Sequence, residues 1–148
     1  MAKLAYLLDT NIVSDLVHRP KGLIRDCIAA CGDDQVCTSI IVAAELRFGA
    51  AKKGSARLTA QLETVLGSME ILPFEDPADR VYGEIRQALE RVGTPIGAND
   101  LLIAAHAATY SLTLVTANEG EFRRVPGLVV ENWLSQRNPV DALTGTQK

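Results

Sequence analysis

The stretch Leu4-Ala5-Tyr6-Leu7-Leu8-Asp9-Thr10-Asn11 changes from apolar to polar within one residue. A short apolar run that ends at turn-forming residues is typical of a buried strand. We therefore predict a strand over Leu4–Leu8, with Asp9 directly at its carboxyl end. Parallel sheets bind their ligands beyond the carboxyl ends of the strands, so Asp9 is the first candidate for a functional residue.

The rest of the chain alternates short apolar runs with stretches of helical periodicity. This alternation favours a three-layer α/β/α fold, with a short, mainly parallel central sheet covered by helices on both faces. The clearest helix is predicted to begin with Asp76 as its cap and Pro77 in its first turn, and to end at Gly93. The other predicted helices are Ile12–Val17, Leu23–Cys31, one capped by Thr38 or Ser39 that ends near Lys53, one that starts at Gly54-Ser55, and one that begins near Asp100; the further strands are Val36-Cys37, Ile71-Leu72, Leu112–Val115 and Leu128–Val130.

Length and composition indicate one folded domain. The chain has 148 residues, and 47% of them are hydrophobic, which is ordinary for a globular protein. We assign residues 1–134 to the domain and the polar residues 135–148 to a flexible C-terminal tail. No apolar stretch approaches the ~18 residues of a membrane span, and the N-terminus lacks a signal-peptide pattern. The expected location is the cytoplasm, with no membrane partner.

Four acidic residues lie beside predicted strands or within apolar stretches: Asp9, Glu45, Asp100 and Glu121. A carboxylate among apolar residues is costly unless another group compensates its charge. If the fold gathers these four acids, their mutual repulsion would force protons onto some of them unless a divalent cation binds. The pattern predicts a site for Mg²⁺ or Mn²⁺, which prefer oxygen ligands, and therefore metal-assisted chemistry.

Each acid also has a structural explanation. Asp9, together with Asn11, could simply cap the helix that follows. Asp100 could stabilise the dipole of its helix, and Glu121 could lie in an exposed loop. Glu45 could form a salt bridge to another segment, although Arg47 is expected to point elsewhere. The four together are more specific than any one alone.

The net charge of −3 argues at first against a nucleic-acid partner. Setting the four candidate acids aside leaves 14 acidic against 15 basic residues, so the remaining surface is balanced. A local basic rim is compatible with RNA binding, while a solvated helix end is the alternative for any single base. The clustered bases are Lys52, Lys53, Arg57, Arg123 and Arg124.

The cysteines and histidines do not suggest a second kind of site. Cys27, Cys31 and Cys37 lack paired spacing and are expected to be reduced, packed thiols. Neither His18 nor His106 has a spacing that would complete a zinc site with them. Neither histidine is placed to act as a general acid or base, and His106 is expected to be packed or at the surface.

The order of the motifs resembles that of the PIN domain. The closing segment Val125–Trp133 is also similar to the end of the VapC-type toxins, and the resemblance covers roughly residues 4–134. The matching segments are Leu7–Asn11, Thr38–Leu46, Pro95–Ala105 and Leu114–Phe122.

This resemblance implies an α/β/α nuclease fold and a magnesium- or manganese-dependent endoribonuclease that cleaves RNA. It also implies a toxin neutralised by a cognate VapB-type antitoxin, and twofold homodimers. The four acids match the family's catalytic site, with Asp9 and Asp100 as metal ligands. Asn11 and Thr116 match polar positions that orient the acids. Asn118 falls where some relatives carry an acid, which leaves the shares of Asn118 and Glu121 in metal binding open.

Two other functions fit parts of the pattern. A catalytically degenerate PIN-like interaction module would keep the fold for partner binding only, but all four acids are intact here. A phosphatase with Asp9 as its nucleophile usually carries a second acid two residues later, where this chain has Asn11. Cleavage of RNA but not of a phosphomonoester would separate the three functions.

Overall fold

A five-stranded parallel sheet forms the centre of the computed structural model, which describes residues 3–135. The strand order is β3-β2-β1-β4-β5, and every neighbouring pair is parallel. This confirms the predicted fold class. The strands are β1 (Tyr6–Leu8), β2 (Val36–Ser39), β3 (Glu70–Leu72), β4 (Thr113–Val115) and β5 (Val130–Glu131).

The chain adds strands first on one side of β1 and then on the other, and this change of side positions the site. The chain adds β2 and β3 on one side of β1 and then returns to add β4 and β5 on the other. Leu8 is in register with Thr38 of β2 and with Val115 of β4, so the three strands end at nearly the same level. Such a switch point opens a crevice at the carboxyl ends of the strands.

The helices form two groups. Helix α1 contacts α2, α3 and α4, and α5 packs along α6, while α3 also contacts α6 and so links the two groups. Helices on both faces are expected for the crossovers of a parallel sheet. The longest of the described helices have 14 residues, which is too short to cross a bilayer. The helices are α1 (Thr10–His18), α2 (Leu23–Cys31), α3 (Ile40–Lys53), α4 (Ala56–Gly67), α5 (Ala78–Arg91), α6 (Ala98–Thr109) and α7 (Glu119–Phe122), with a 3₁₀ turn at Asp33–Gln35.

The core lies on both faces of the sheet. Leu7, Leu8 and Leu114 of the central strands are completely buried, as the continuous apolar runs predicted. Trp133, which follows β5 in the chain, is buried, and its ring meets that of Tyr6 on β1 edge-on with centroids 5.1 Å apart.

Several element boundaries differ from the sequence-based expectation. The strand β1 begins at Tyr6 rather than Leu4, and β2 extends to Ser39, which then caps α3. The expectation that Asp76 caps α5 was wrong. Pro77 occupies that N-cap position, and the Asp76 carboxylate instead lies 3.4 Å from Arg80. The short helix α7 was not predicted.

The three cysteines are free, and burial keeps two of them unreactive. It raises the pKa of Cys27 to about 11 and that of Cys37 to about 12, so both remain protonated thiols at neutral pH. Except for Ser135, the predicted tail 135–148 lies outside the described residues.

Candidate active site

The crevice at the carboxyl ends of β1 and β4 brings the four predicted acids together. Asp9 follows β1 directly, and Thr116 follows β4. The backbone of Asp9 is tied to β4, because its amide donates to the Val115 carbonyl at 2.9 Å. Glu45 comes from α3, Asp100 from the first turn of α6 and Glu121 from α7.

Asp9 is the most buried of the four acids, with 3% of its surface exposed. Thr116 Oγ1 donates to its Oδ2 at 2.7 Å, and Asn11 Nδ2 lies 3.5 Å from the same oxygen. The other oxygen, Oδ1, is buried and receives no well-formed hydrogen bond from residues 3–135. Asp9 occupies the N-cap position of α1 but makes no side-chain capping bond, so capping does not explain the residue.

The surroundings of Asp9 raise its pKa. Burial is the largest cause, partly offset by the hydrogen bond from Thr116 and by the Thr10 amide. The negative charges of Glu45 and Glu121 raise the pKa further. Asp9 is therefore a buried carboxyl group with one oxygen that lacks a well-formed hydrogen bond, and two acids lie close enough to repel its charge.

Glu45 is held by two hydrogen bonds from neutral side chains. Thr10 Oγ1 donates to Glu45 Oε1 at 2.7 Å, and Asn99 Nδ2 donates to Oε2 at 2.6 Å. Arg47 points elsewhere, as expected, and makes a two-pronged contact with Glu63, both distances being 2.9 Å. These two hydrogen bonds orient Glu45 without neutralising its charge.

Asp100 has the most strongly shifted acid–base equilibrium in the site. Its pKa rises to about 8, first because of burial and then because it shares a hydrogen bond with Glu121. The charges of Glu121, Asp9 and Glu45 raise it further. The charges of the other three acids thus all reach Asp100, which a helix-dipole role for Asp100 alone would not produce.

The loop after β4 links the remaining predicted residues. The Asn118 amide donates to Thr116 Oγ1 at 2.9 Å, and Asn118 Nδ2 donates to Glu121 Oε1 at 3.2 Å. Asn11 Oδ1 accepts from the Ala117 amide at 3.0 Å, which ties the start of α1 to this loop. Thr116 therefore contacts both Asp9 and the segment that carries Glu121.

Two residues of the site were missed in the sequence. Thr10 and Asn99, the hydrogen-bond donors of Glu45, each directly precede or follow a predicted acid. The only hint in the sequence was that each of them is a polar residue next to a candidate acid. It could not say which acid each donor would reach, because the partners are 35 and 54 residues apart.

The donor set fits a small hard cation that keeps several of its waters. No three or more His, Cys, Asp or Glu side chains within residues 3–135 form a ready-made metal cage. Mg²⁺ is usually bound through one or two carboxylates together with water and substrate phosphates, so such a cage is not required. Asp9 Oδ1, which lacks a well-formed hydrogen bond from residues 3–135, and the raised pKa of Asp100 fit a carboxylate pair that binds a cation.

The predicted bases lie at two places in the fold. Lys52, Lys53 and Arg57 lie around the exposed turn between α3 and α4. Arg123 pairs with Glu119 at 2.8 Å, and Arg124 Nη1 donates to the Pro95 carbonyl at 3.0 Å. The second pair is therefore partly engaged within the chain.

Comparisons with known proteins agree with this geometry. The sequence model of the PIN domain matches residues 6–128. Ribonuclease VapC2 of Rickettsia felis is 39% identical over 130 residues, which cover 86% of this chain and 97% of that protein. The tRNA(fMet)-specific endonuclease VapC of Salmonella typhimurium is 35% identical over 131 residues, covering 88% of this chain and 98% of that protein.

Solved structures show the same similarity. The crystal structure of VapBC2 from Rickettsia felis, bound to a DNA fragment from its promoter, matches with a TM-score of 0.83 and 37% identity. That match covers 88% of this chain and 99% of the other. The DNA-bound VapBC of Salmonella typhimurium matches with a TM-score of 0.79 and 34% identity, covering 88% and 98%.

A parallel sheet whose switch point gathers four acids is the arrangement of a nuclease of the PIN class. Within that class, the extent of the match is decisive, since relatives above 30% identity align over nearly their whole length. The chain belongs to the PIN-domain family and, within it, to the VapC ribonucleases.

Proposed function

We propose that this chain is a metal-dependent endoribonuclease toxin that is neutralised by a cognate VapB-type antitoxin. The observation that carries the proposal is the convergence of Asp9, Glu45, Asp100 and Glu121 at the switch point, with Asp100 driven to a pKa of about 8. The names of the relatives, ribonucleases and a tRNA endonuclease, support RNA as the substrate. The cytoplasm, where RNA is present, is the proposed location.

The residues divide the work of such a site. Asp9 and Asp100 are the proposed ligands of Mg²⁺ or Mn²⁺, and Thr116 holds the Asp9 carboxylate in place through its 2.7 Å hydrogen bond. When bound, the cation polarises a phosphodiester and lowers the pKa of a water molecule. Glu45 and Glu121 complete the acidic cluster, where each can orient a water molecule or accept its proton. Asn118, which holds Glu121 at 3.2 Å, is a positioning residue in this proposal.

The test is the cleavage of RNA by a variant that lacks one charged ligand. Asp100→Asn should keep the fold and lose about 100-fold or more in single-turnover cleavage with Mg²⁺ or Mn²⁺. Asp79→Asn is a matched control, because Asp79 also lies in the first turn of a helix but on α5, and it should cleave like the wild type. Undiminished cleavage by purified Asp100→Asn would contradict the proposed role of Asp100 in the active site.

Further results would identify the alternatives. A wild-type protein that binds its antitoxin but cleaves no RNA would be a non-catalytic interaction module. Hydrolysis of a phosphomonoester without RNA cleavage would instead indicate a phosphatase. Loss of RNA cleavage on adding a chelator, restored by Mn²⁺, is expected for the proposed enzyme.

The proposed antitoxin contact is a groove that leads away from the acids. Helices α1, α3 and α4 enclose a mainly apolar cavity of about 140 Å³, with Glu45 at one end and Lys53 at the other. An amphipathic helix of the partner could pack its apolar side chains there. An arginine of the same partner could then pair with Asp9, Glu45 or Asp100 and block metal binding. The matched VapBC complexes support a partner of this kind.

A homodimer is also proposed. Ile40, Ala44 and Phe48 follow one another at four-residue spacing, and all three are exposed on the same face of α3. Phe48 has 69% of its surface exposed, which is unusual for a large aromatic side chain on a monomer. A second copy of the chain is the proposed cover for this stripe.

A further inference from the structure

His106 is a completely buried histidine on α6 that takes no part in the acidic cluster. Its Nδ1 lies 2.8 Å from Ser39 Oγ, and its Nε2 lies 3.0 Å from the Pro73 carbonyl oxygen. The rings of Phe74 and Tyr110 pack near it, with centroid distances of 5.3 and 5.8 Å. The side chain thus joins α6 to the ends of two strands, β2 and β3.

The hydrogen bonds determine which ring nitrogen carries the proton. A carbonyl oxygen only accepts, so Nε2 of His106 must donate to Pro73. Burial lowers the pKa of His106, and the ring is therefore neutral, with Nδ1 as an acceptor for the Ser39 hydroxyl. Ser39 Oγ in turn accepts from the Ile41 amide at 3.0 Å, so every polar atom in this chain of contacts is satisfied.

The two ends of this contact lie on the helices that carry catalytic acids. Ser39 is the N-cap of α3, six residues before Glu45, and His106 is six residues after Asp100 on α6. Six residues span about 9 Å of helix. Near the other end of the same span, Asn99 Nδ2 of α6 donates to Glu45 Oε2 at 2.6 Å. The helices α3 and α6 are therefore joined at two points about 9 Å apart.

We propose that His106 is a positioning residue for the active site, because its bond to Ser39 fixes the register of α6 against α3 and so the placement of Asp100 relative to Glu45. One contact between two helices allows them to pivot, whereas two separated contacts hold both their angle and their register. The kinetic consequence of this role rests on the proposed nuclease function; the structural consequence does not.

Two conservative variants separate the two bonds of the ring. In His106→Asn, the amide oxygen takes the place of Nδ1 and can still accept from Ser39. In His106→Gln, the amide nitrogen takes the place of Nε2 and keeps only the bond to Pro73. The Gln variant should lose about 10- to 100-fold in kcat, as expected for a small displacement of catalytic groups, and the Asn variant should retain more activity.

A second pair tests the same bond from the other side. Ser39→Ala removes the hydroxyl, while Ser55→Ala removes the equivalent cap of α4, whose Oγ accepts from the Leu58 amide at 3.1 Å. Both variants lose one helix cap, but only Ser39→Ala loses the bond to His106. We expect a fall in kcat for Ser39→Ala alone. Combining Ser39→Ala with His106→Gln should cost no more than the larger single loss.

The decisive readout is independent of RNA cleavage. The side-chain amide protons of Asn99, measured by NMR without metal, report the bond to Glu45 at the far end of the span. These signals should move toward those of an unbonded amide in His106→Gln and Ser39→Ala, and stay near the wild-type positions in His106→Asn and Ser55→Ala. Unchanged Asn99 signals in the first two variants overturn the proposal. If the wild type cleaves no RNA while the Asn99 signals respond as expected, the nuclease function fails and the positioning role stands.

Discussion

At the scale of single residues, the site depends on how each carboxylate is surrounded. Asp9 receives a short hydrogen bond from Thr116 that favours its charged form, whereas Asp100 shares a hydrogen bond with another acid. Burial therefore raises the pKa of Asp9, although the hydrogen bond from Thr116 opposes this rise. The pKa of Asp100 reaches about 8. The repulsion is a cost in stability that a bound cation would remove.

The first prediction concerns the stability of the metal-free protein at different pH values. Unfolding lowers the pKa of Asp100 from about 8 to about 3.9, so the folded state holds a proton that the unfolded state has released. Stability should therefore fall as the pH rises from about 4 to about 8. Asp100→Asn lacks this titration. Its melting temperature in chelator should exceed that of the wild type by a growing margin, reaching a few degrees at pH 9.

The comparison is made by thermal melting in chelator between pH 5 and pH 9. Asp79→Asn, a change to an exposed acid on α5, should follow the wild-type curve. A margin between Asp100→Asn and the wild type that stays constant over this range would contradict the raised pKa of Asp100.

At the scale of elements, the ends of α3 and α4 matter because they place Glu45 and the groove. Ser39 and Ser55 each accept a backbone hydrogen bond at the start of their helix. Gly54 ends α3 in the left-handed region, at φ 67° and ψ 21°, and lets the chain turn directly into α4. Such a conformation strains any residue with a Cβ atom.

The second prediction contrasts two glycines. Gly54→Ala should lower the free energy of unfolding by about 1 kcal/mol, because its backbone conformation disfavours alanine even though nothing lies within 4 Å of the new Cβ. Gly83→Ala, in the interior of α5 with equally open space, should raise it by up to about 1 kcal/mol. Urea denaturation measures the free energy of unfolding of both variants. Changes of the same sign would contradict the left-handed conformation as the reason for a glycine at position 54.

The third prediction concerns the groove between α1, α3 and α4. Gly49 lines this groove and has nothing within 4 Å of an added Cβ, so Gly49→Leu should fill it without disturbing the core. Binding of the proposed VapB-type antitoxin should weaken at least about tenfold. Gly83→Leu places the same side chain on α5, outside the groove, and should bind like the wild type. Titration calorimetry would measure the antitoxin affinity of both variants. Equal affinities for Gly49→Leu and Gly83→Leu would indicate that the antitoxin binds outside this groove.

At the scale of the whole molecule, the sheet is covered but one helix face is not. The apolar stripe Ile40, Ala44 and Phe48 on α3 is continuous and exposed. A stable interface covers about 800 Å² on each partner, so neighbouring surface would have to join the stripe. The dimer proposed above would cover this stripe together with such neighbouring surface.

The fourth prediction tests this stripe. The wild type should be a dimer by light scattering at micromolar concentration, and Phe48→Asp should shift it to the monomer mass with little change in melting temperature. Val92→Asp is the control, because Val92 is 68% exposed, as Phe48 is 69%, but lies at the end of α5. A dimer that survives Phe48→Asp would have its interface on another face.

The sequence was sufficient for the fold class, and it singled out the four acids that the structure brings together. Alternating apolar runs and helical periods predicted the parallel sheet, since both patterns reflect local geometry and burial. Asp9 was placed at the carboxyl end of β1 for the same reason. The cap of α5 was mispredicted, because Asp76 and Pro77 both suit the start of a helix and only packing decided between them.

Only the tertiary structure decided which side chains meet. Thr10 reaches Glu45 across 35 residues, Asn99 reaches it across 54, and His106 reaches Ser39 across 67. Such pairs depend on how α1, α3 and α6 pack against one another and the sheet, and no local sequence pattern encodes that arrangement. The raised pKa of Asp100 has the same origin, because it needs Glu121, Asp9 and Glu45 within reach of one another. The candidate acids could be identified from local sequence patterns, whereas their mutual contacts depend on the packing of segments that are far apart in the chain.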